Sequence, residues 1–257
     1  MITADYVVVG AGLTGVTIAR TLADAGRQVI VLDRRPMIGG NCADTTHEES
    51  GVRYNLYGPH YFRTNSDRIW EWVQRFDRFY PWAANVQTIV AGSCYRWPLK
   101  SYQQTLREVV VGGYNLKMWG NKILPMEIVK RATEIQQQPS HGDDDERLKT
   151  DKFQGLPTSG YSRWIERILE KIPRFLCLDY LRNRQEITAK VKLIYTGPID
   201  EFYDYQFGPL EYRGQKRELV WSRGSCSVQS TVQRNFPESA FPYLRRIEWN
   251  HLAEKPT

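Results

Sequence analysis

The chain has 257 residues, 41% of them hydrophobic and 25% charged, a composition that suits one large domain or two interleaved ones and excludes an intrinsically disordered polymer. Lys+Arg 35 against Asp+Glu 29 gives a net charge of +6 without blocks of basic residues, which suits a small anionic ligand such as a phosphate ester and argues against nucleic acid as partner. No stretch is apolar for long enough to span a bilayer. The N-terminus enters a strand-like segment, Asp5 to Val9, where a secretory leader would carry a basic region and a longer apolar run. Cys42, Cys94, Cys177 and Cys226 are far apart and form no Cys-x-x-Cys pair. Neither a disulfide framework nor a structural zinc site is expected, and a cytoplasmic location follows as the expectation.

Residues 5 to 33 read as strand, turn, helix and strand. Val7-Val8-Val9 is an apolar run for a strand buried on both faces. Gly10-Ala11-Gly12-Leu13-Thr14-Gly15 turns into a helix with apolar Val16, Ile18, Ala19, Leu22 and Ala23, which Gly26 ends; Gln28 to Asp33 is the second strand. A helix is predicted over 66–80 from the spacing of Ile69, Trp70, Trp72, Val73 and Phe76, and two short strands flank Ala91-Gly92-Ser93 within 85–99. From 101 to 135 the pattern is helical with Gly112-Gly113 as a break, and Gln136 to Glu146 reads as an exposed polar loop. Further on come an amphipathic helix over Tyr161 to Ile172 and strands over Arg174 to Leu178 and Val191 to Thr196. Residues 209–250 alternate in three strand-length pieces, with turns near Arg223-Gly224 and Pro237-Glu238, as an antiparallel sheet would. The fold class is thus α/β: a discontinuous Rossmann-like core over 1–65 and 150–208, a reduced helical insertion with a short hairpin over 66–149, and an antiparallel sheet segment over 209–257.

The strongest local signal is Gly10-x-Gly12-x-x-Gly15 with Asp33 closing the next strand. In such a unit the first glycine permits the tight turn, the second lets the backbone approach a pyrophosphate, and the third lets helix and strand pack closely. The helix N-terminus holds the phosphates and the acid takes the ribose hydroxyls. Gly39-Gly40-Asn41, shortly after Asp33-Arg34, adds a second glycine pair. That is a habit of FAD-binding more than of simple NAD-binding proteins, since it lets another backbone segment pass close to the dinucleotide. Eight Trp and fifteen Tyr either fill a core or line a sugar or base pocket.

Several blocks together resemble the UDP-galactopyranose mutases. They are Gly39-Gly40-Asn41, Tyr57-Gly58-Pro59-His60-Tyr61-Phe62-Arg63-Thr64, Trp119-Gly120, and Asp151-Lys152-Phe153-Gln154-Gly155-Leu156-Pro157 with Gly160-Tyr161. Tyr195-Thr196-Gly197-Pro198-Ile199-Asp200, the stretch running on to Leu210-Glu211-Tyr212-Arg213, and Pro242-Tyr243-Leu244-Arg245-Arg246-Ile247-Glu248 complete the series in family order. The resemblance implies an isomerase that interconverts pyranose and furanose forms of a UDP- or GDP-linked hexose, in carbohydrate biosynthesis. Reduced FAD is then the nucleophile at the anomeric carbon, and preorganised cations neutralise the departing diphosphate. By the same resemblance Arg245 contacts the diphosphate, Trp119 lies beside the sugar and His60 is held against the flavin. Tyr114 stacks on the nucleobase, Tyr195 hydrogen-bonds the diphosphate, and Lys152 stands where the family has arginine, which keeps the charge and loses the bidentate fork. Gln154, Asp200 and Arg213 fall to the substrate side. Gly10, Gly12, Gly15, Asp33, Arg34, Gly39, Gly40, Asn41 and Gly58 fall to the cofactor side.

The chain departs from the family in two places. The segment between Pro98 and Tyr114 is shorter, and the sequence stops at Thr257, where the family continues with a Gly-Gly-Arg segment that contacts the flavin ring. Weakened flavin binding is therefore an expectation, and other readings stay open. One is a flavin-free mutase assisted by a divalent metal (Mg or Mn), for which Asp143-Asp144-Asp145 and, better, Asp200, Glu201 and Asp204 are candidate carboxylates. Another is a non-catalytic nucleotide-sugar-binding paralogue, and a third is a flavin or NAD oxidoreductase. A chain of this kind could form a homodimer that covers its reduced domain.

Overall fold

The computed structural model describes residues 1–257 except 100–102, 121–144, 146, 213, 223–226 and 255–257. In chain order its strands and helices are β1 (Ile2–Val9), α1 (Leu13–Asp24), β2 (Val29–Leu32), β3 (Asp44–Thr46), β4 (Arg53–Asn55), β5 (Phe62–Thr64), α2 (Asp67–Gln74), β6 (Phe79–Pro81), β7 (Val86–Val90), β8 (Ser93–Trp97), α3 (Gln104–Trp119), β9 (Phe153–Pro157), α4 (Tyr161–Ile168), β10 (Arg174–Phe175), β11 (Ile187–Tyr195), α5 (Ile199–Phe202), β12 (Gln233–Asn235) and β13 (Arg245–Ile247). They divide into two compact units. The first comprises 1–62, 66–80 and 156–211, and the second comprises 63–65, 81–155 and 212–257.

The first unit is built on a parallel sheet in the order β10-β2-β1-β11. Parallel strands covered on both faces must be apolar throughout, and Val7, Val8, Val31 and Leu32 are indeed inaccessible to solvent. One face buries Ala4, Val7, Val9, Ile30, Leu32 and Ile187 against Leu193 and Tyr195. α1 packs on β1 and β2 and also meets α4, whose Ile165 and Ile168 are fully buried, as are Val16 and Ala19 of α1. The anchor of α4 is Trp164, 1% exposed, whose indole N–H donates to the Val73 carbonyl at 3.0 Å and so ties α4 to α2. At the other end of α4, Asp44 accepts from the N–H groups of Tyr161 (2.7 Å) and Ser162 (2.9 Å), which satisfies the first donors of the helix with a carboxylate.

The second unit carries a four-stranded sheet in the order β13-β12-β7-β8. β7 and β8 form the antiparallel hairpin expected around Ala91-Gly92-Ser93, and β12 and β13 are also antiparallel, but β12 joins β7 in parallel, with Gln233 opposite Val86. α3 covers the hairpin through Val110, which packs with Val90, Leu99 and Leu106.

Several boundaries differ from the sequence reading. Gly112-Gly113 does not break the helix, since α3 runs through both glycines to Trp119. The 66–80 helix is confined to Asp67–Gln74, with the Ser66 hydroxyl accepting from the Ile69 N–H at its start, and Phe79–Pro81 is a strand. The helix expected to reach Ile172 ends at Ile168, and the strand expected to reach Leu178 has two residues, although the N–H groups of Cys177 and Leu178 still reach the carbonyls of Arg35 and Asp33. The strand expected from Val191 begins four residues earlier, at Ile187. The three pieces expected over 209–250 reduce to β12 and β13 among the described residues, since 209–212 and 214–222 lie exposed and form no strand. Residues 121–135, the loop reading for Gln136 to Glu146 apart from Asp145, and the turn at Arg223-Gly224 lie outside the described residues.

Candidate functional site

In the first unit the glycine turn, the second glycine pair and the C-terminal ends of β1, β2 and β11 enclose a cleft of about 450 Å³. It opens where an α/β sheet generally binds its ligand, beyond the carboxyl ends of the strands. Gly10, Gly12, Asp33, Arg34, Gly39, Gly40 and Asn41 line it. Gly15 lies beneath: a Cβ there would run into the Gly10 carbonyl and press on Val8, so the glycine is what lets α1 sit on β1. A Cβ on Gly40, which has φ 55°, would stand 2.8 Å from the Gly12 Cα, and the Gly39 N–H donates to the Ala11 carbonyl at 2.9 Å. The two glycine segments therefore touch backbone to backbone and form one floor.

Asp33 is buried at the rim of this floor. One carboxylate oxygen accepts from the Ala11 N–H at 2.7 Å and the other from the Arg35 N–H at 2.8 Å. A carboxylate has about four lone-pair sites, so about half of its acceptor capacity is used in shaping the turn. Arg34 pairs with Glu201 at 2.6 Å, which raises the guanidinium pKa further despite some desolvation. The open wall of the cleft comes from residues that the sequence reading did not single out for it: Asp179, Tyr180 and Thr196. Tyr195 lines this same cleft. Its position follows from β11 lying parallel to β1, with Tyr195 opposite Val9 and the Thr196 N–H donating to the Val9 carbonyl at 2.9 Å. The sequence signal was the Thr-Gly-Pro stop just after a strand, which puts these residues at a carboxyl end. Burial, with Glu201 nearby, raises the Tyr195 phenol pKa.

His60 and Gly58 belong to the first unit but do not line the cleft. His60 Nδ1 lies 2.9 Å from the Gly58 carbonyl, an acceptor, so Nδ1 carries the proton and Nε2 is left as the acceptor. Burial pushes the imidazole below its ordinary value of 6.5, and Tyr161 holds the local backbone by donating to the His60 carbonyl at 3.0 Å. Asp200, on α5, accepts from the Leu210 N–H at 2.9 Å.

The second unit brings Tyr114 and Arg245 together. Tyr114 projects from α3 and Arg245 from β13, with the guanidinium 5.8 Å from the ring centroid. Burial raises the Tyr114 phenol pKa, and the adjacent cation opposes the rise. Trp119 ends α3 and is 39% exposed. Lys152 lies on the surface with its ammonium 4.7 Å from the Phe153 ring centroid, and Gln154 donates to the carbonyls of Lys149 (2.8 Å) and Asp151 (3.2 Å). Arg213 lies outside the described residues.

Among the described residues no group of three or more His, Cys, Asp or Glu side chains is placed to hold a metal ion. Of the carboxylates considered for that role, Glu201 pairs with Arg34, Asp204 lies 3.9 Å from Arg184, and Asp145 pairs with Arg147. Asp143 and Asp144 are outside the described residues. No helix among those residues is long and apolar enough to cross a membrane.

Comparison with known proteins covers both units. A family model described as UDP-galactopyranose mutase matches residues 109–257, and one described as an NAD(P)-binding Rossmann-like domain matches residues 8–76. The chain is 31% identical to a probable UDP-galactopyranose mutase of Klebsiella pneumoniae over 97% of its own length and 74% of the relative's. It is 27% identical to the dTDP-fucopyranose mutase of Escherichia coli, covering 95% of this chain and 76% of that one. A crystal structure of reduced UDP-galactopyranose mutase shares the fold, with a TM-score of 0.57 at 15% identity, over 97% of this chain and 71% of that one.

Proposed function

Since the chain belongs to the UDP-galactopyranose mutase family, a family of isomerases, we propose that it interconverts the pyranose and furanose forms of a nucleoside-diphosphate hexose with reduced FAD as cofactor. The observation that carries the cofactor is the double-glycine floor, whose close packing a Cβ at Gly15 or Gly40 would break, with Asp33 at its rim. The residues present fit a dinucleotide. Gly10, Gly12, Gly39, Gly40 and Asn41 would hold its pyrophosphate at the start of α1, and the spare lone pairs of Asp33 would take the ribose hydroxyls. When bound and reduced, the flavin supplies the nucleophile for the anomeric carbon, so ring interconversion needs no net redox change.

The protein's own residues do the rest. Arg245 is a fixed cation for the charge that develops on the departing diphosphate, and its contact with Tyr114 holds the guanidinium in place before substrate arrives. Tyr114 offers a half-buried aromatic face for the nucleobase. Lys152 adds a second positive charge as a point donor. His60 stays neutral at pH 7, as an acceptor at Nε2.

The test is direct. Purified protein is titrated with FAD, with and without dithionite, by visible absorption, and UDP and dTDP binding is measured by calorimetry for wild type and Arg245→Ala. Stoichiometric flavin, and a loss of about a hundredfold in mutase turnover on Arg245→Ala without unfolding, are expected. No flavin bound even in excess FAD would refute the cofactor, and unchanged diphosphate binding in Arg245→Ala would remove that residue from the site.

A further inference from the structure

The Lys117 ammonium sits inside a ring of four main-chain carbonyls, from Phe236 at 2.7 Å, Tyr243 at 2.8 Å, and Glu238 and Phe241 each at 2.9 Å. All four belong to the connection between β12 and β13, whose base is closed by the Phe236 N–H donating to the Leu244 carbonyl at 2.9 Å. Three N–H donors serve four acceptors, so the connection is wrapped around one cation as a peptide wraps around a bound ion. Outside the ring, Phe236, Phe241 and Tyr243 pack on one another with centroids 4.8 to 5.9 Å apart. The last caged carbonyl, that of Tyr243, is two residues before Arg245.

The other end of the contact is α3. Gly113, Tyr114 and Lys117 are spaced i, i+1 and i+4 on that helix, so Lys117 shares a face with both of the others. Gly113 brings the helix against the connection: a Cβ there would stand 2.8 Å from the Pro237 carbonyl oxygen. One turn of helix thus presents three features to one segment: a gap at Gly113, a cation at Lys117, and between them the Tyr114 ring that meets Arg245.

We propose that Lys117 is a positioning residue for the diphosphate site, holding the 236–244 connection against α3 so that Arg245 is set against Tyr114 before substrate binds. It touches neither substrate nor cofactor; it acts through Arg245. The importance of that placement rests on the reading of Arg245 as the diphosphate cation, whereas the placement itself does not.

The experiment separates the two. Lys117→Met removes the charge and keeps the stem, and Lys117→Gln serves if the first variant does not fold. Tyr114 ionisation is followed by isotope-labelled tyrosine NMR across alkaline pH, without ligand, and UDP and dTDP binding by calorimetry, alongside Arg245→Ala. If Lys117 sets Arg245, the phenol loses its neighbouring cation in the Lys117 variant and its midpoint rises by about one pH unit, as it does in Arg245→Ala. Diphosphate binding then weakens roughly tenfold, and the loss is absent when Arg245 is already alanine. An unchanged Tyr114 midpoint in a folded Lys117 variant overturns the positioning role. A shifted midpoint with diphosphate affinity intact in both Lys117 and Arg245 variants keeps the device and overturns the functional reading of Arg245.

Discussion

Asp33→Asn tests whether the acid at the cleft rim shapes the turn as well as the ligand. The side chains have the same size, but Asn offers one carbonyl oxygen where Asp offers two acceptors. In the structure each oxygen is engaged, one by the Ala11 N–H at 2.7 Å and the other by the Arg35 N–H at 2.8 Å. Ala11 is fully buried, so its N–H keeps the remaining oxygen and the amide group is driven against the Arg35 N–H, donor against donor. One hydrogen bond to a charged acceptor is lost, and the other falls to neutral strength. Hydrogen bonds to charged groups contribute about 1.5–3 kcal/mol each and neutral ones about 1 kcal/mol, which gives a destabilisation of about 2–5 kcal/mol. At about 2–4 °C per kcal/mol for a chain of this size, the melting temperature falls by roughly 4–20 °C, and Asp33→Ala falls further. Thermal denaturation followed by circular dichroism reads both. The same substitution weakens ADP-ribose or FAD binding measured below the transition, because the carboxylate serves turn and ribose together. An Asn variant melting within about 1 °C of wild type would sink this account of the turn.

Other consequences are as specific. Gly112 and Gly113 are neighbours in α3 with opposite surroundings, since a Cβ meets nothing within 4 Å at Gly112 but would lie 2.8 Å from the Pro237 carbonyl at Gly113. Gly112→Ala should therefore stabilise by up to about 1 kcal/mol through helix propensity, while Gly113→Ala should lower the denaturation midpoint; two shifts of the same sign would refute the packing. His60 titrates below its unfolded value of 6.5 because burial disfavours the imidazolium. Between the folded and unfolded values the unfolded state holds more protons, so stability falls as pH drops below about 6.5. His60→Gln removes that part of the pH slope in urea titrations at pH 5 and 7, and an unaltered slope contradicts the assignment.

What could be read from the sequence follows from how far apart the cooperating residues are. The unit from β1 to β2 is local, and its glycines, its apolar strand and Asp33 are each required by contacts within about thirty positions, so turn, helix and acid are legible together. Tyr195 shows where this stops. Its residue type and block were recognised, yet its neighbours depend on β11 pairing with β1, 186 positions away at Tyr195 and Val9, and nothing in the local pattern states that register. The same holds for β12, whose three residues alternate like any short strand and pair with β7 in parallel across 147 positions.

Gly112-Gly113 carries the complementary lesson. Two glycines in a helical run have low intrinsic propensity, so a break is the reasonable local reading. In the protein the helix continues because its face is held by partners far along the chain, with Val110 on the hairpin core and Lys117 among four carbonyls of 236–243. Gly113 is small for the sake of the neighbour it admits. Propensity measures what a segment does alone, and α3 is fixed by contacts it does not have alone. The glycine that weakens it locally also lets Tyr114, one residue on, reach Arg245, so the least legible stretch of the second unit is the one that sets its cation against an aromatic ring.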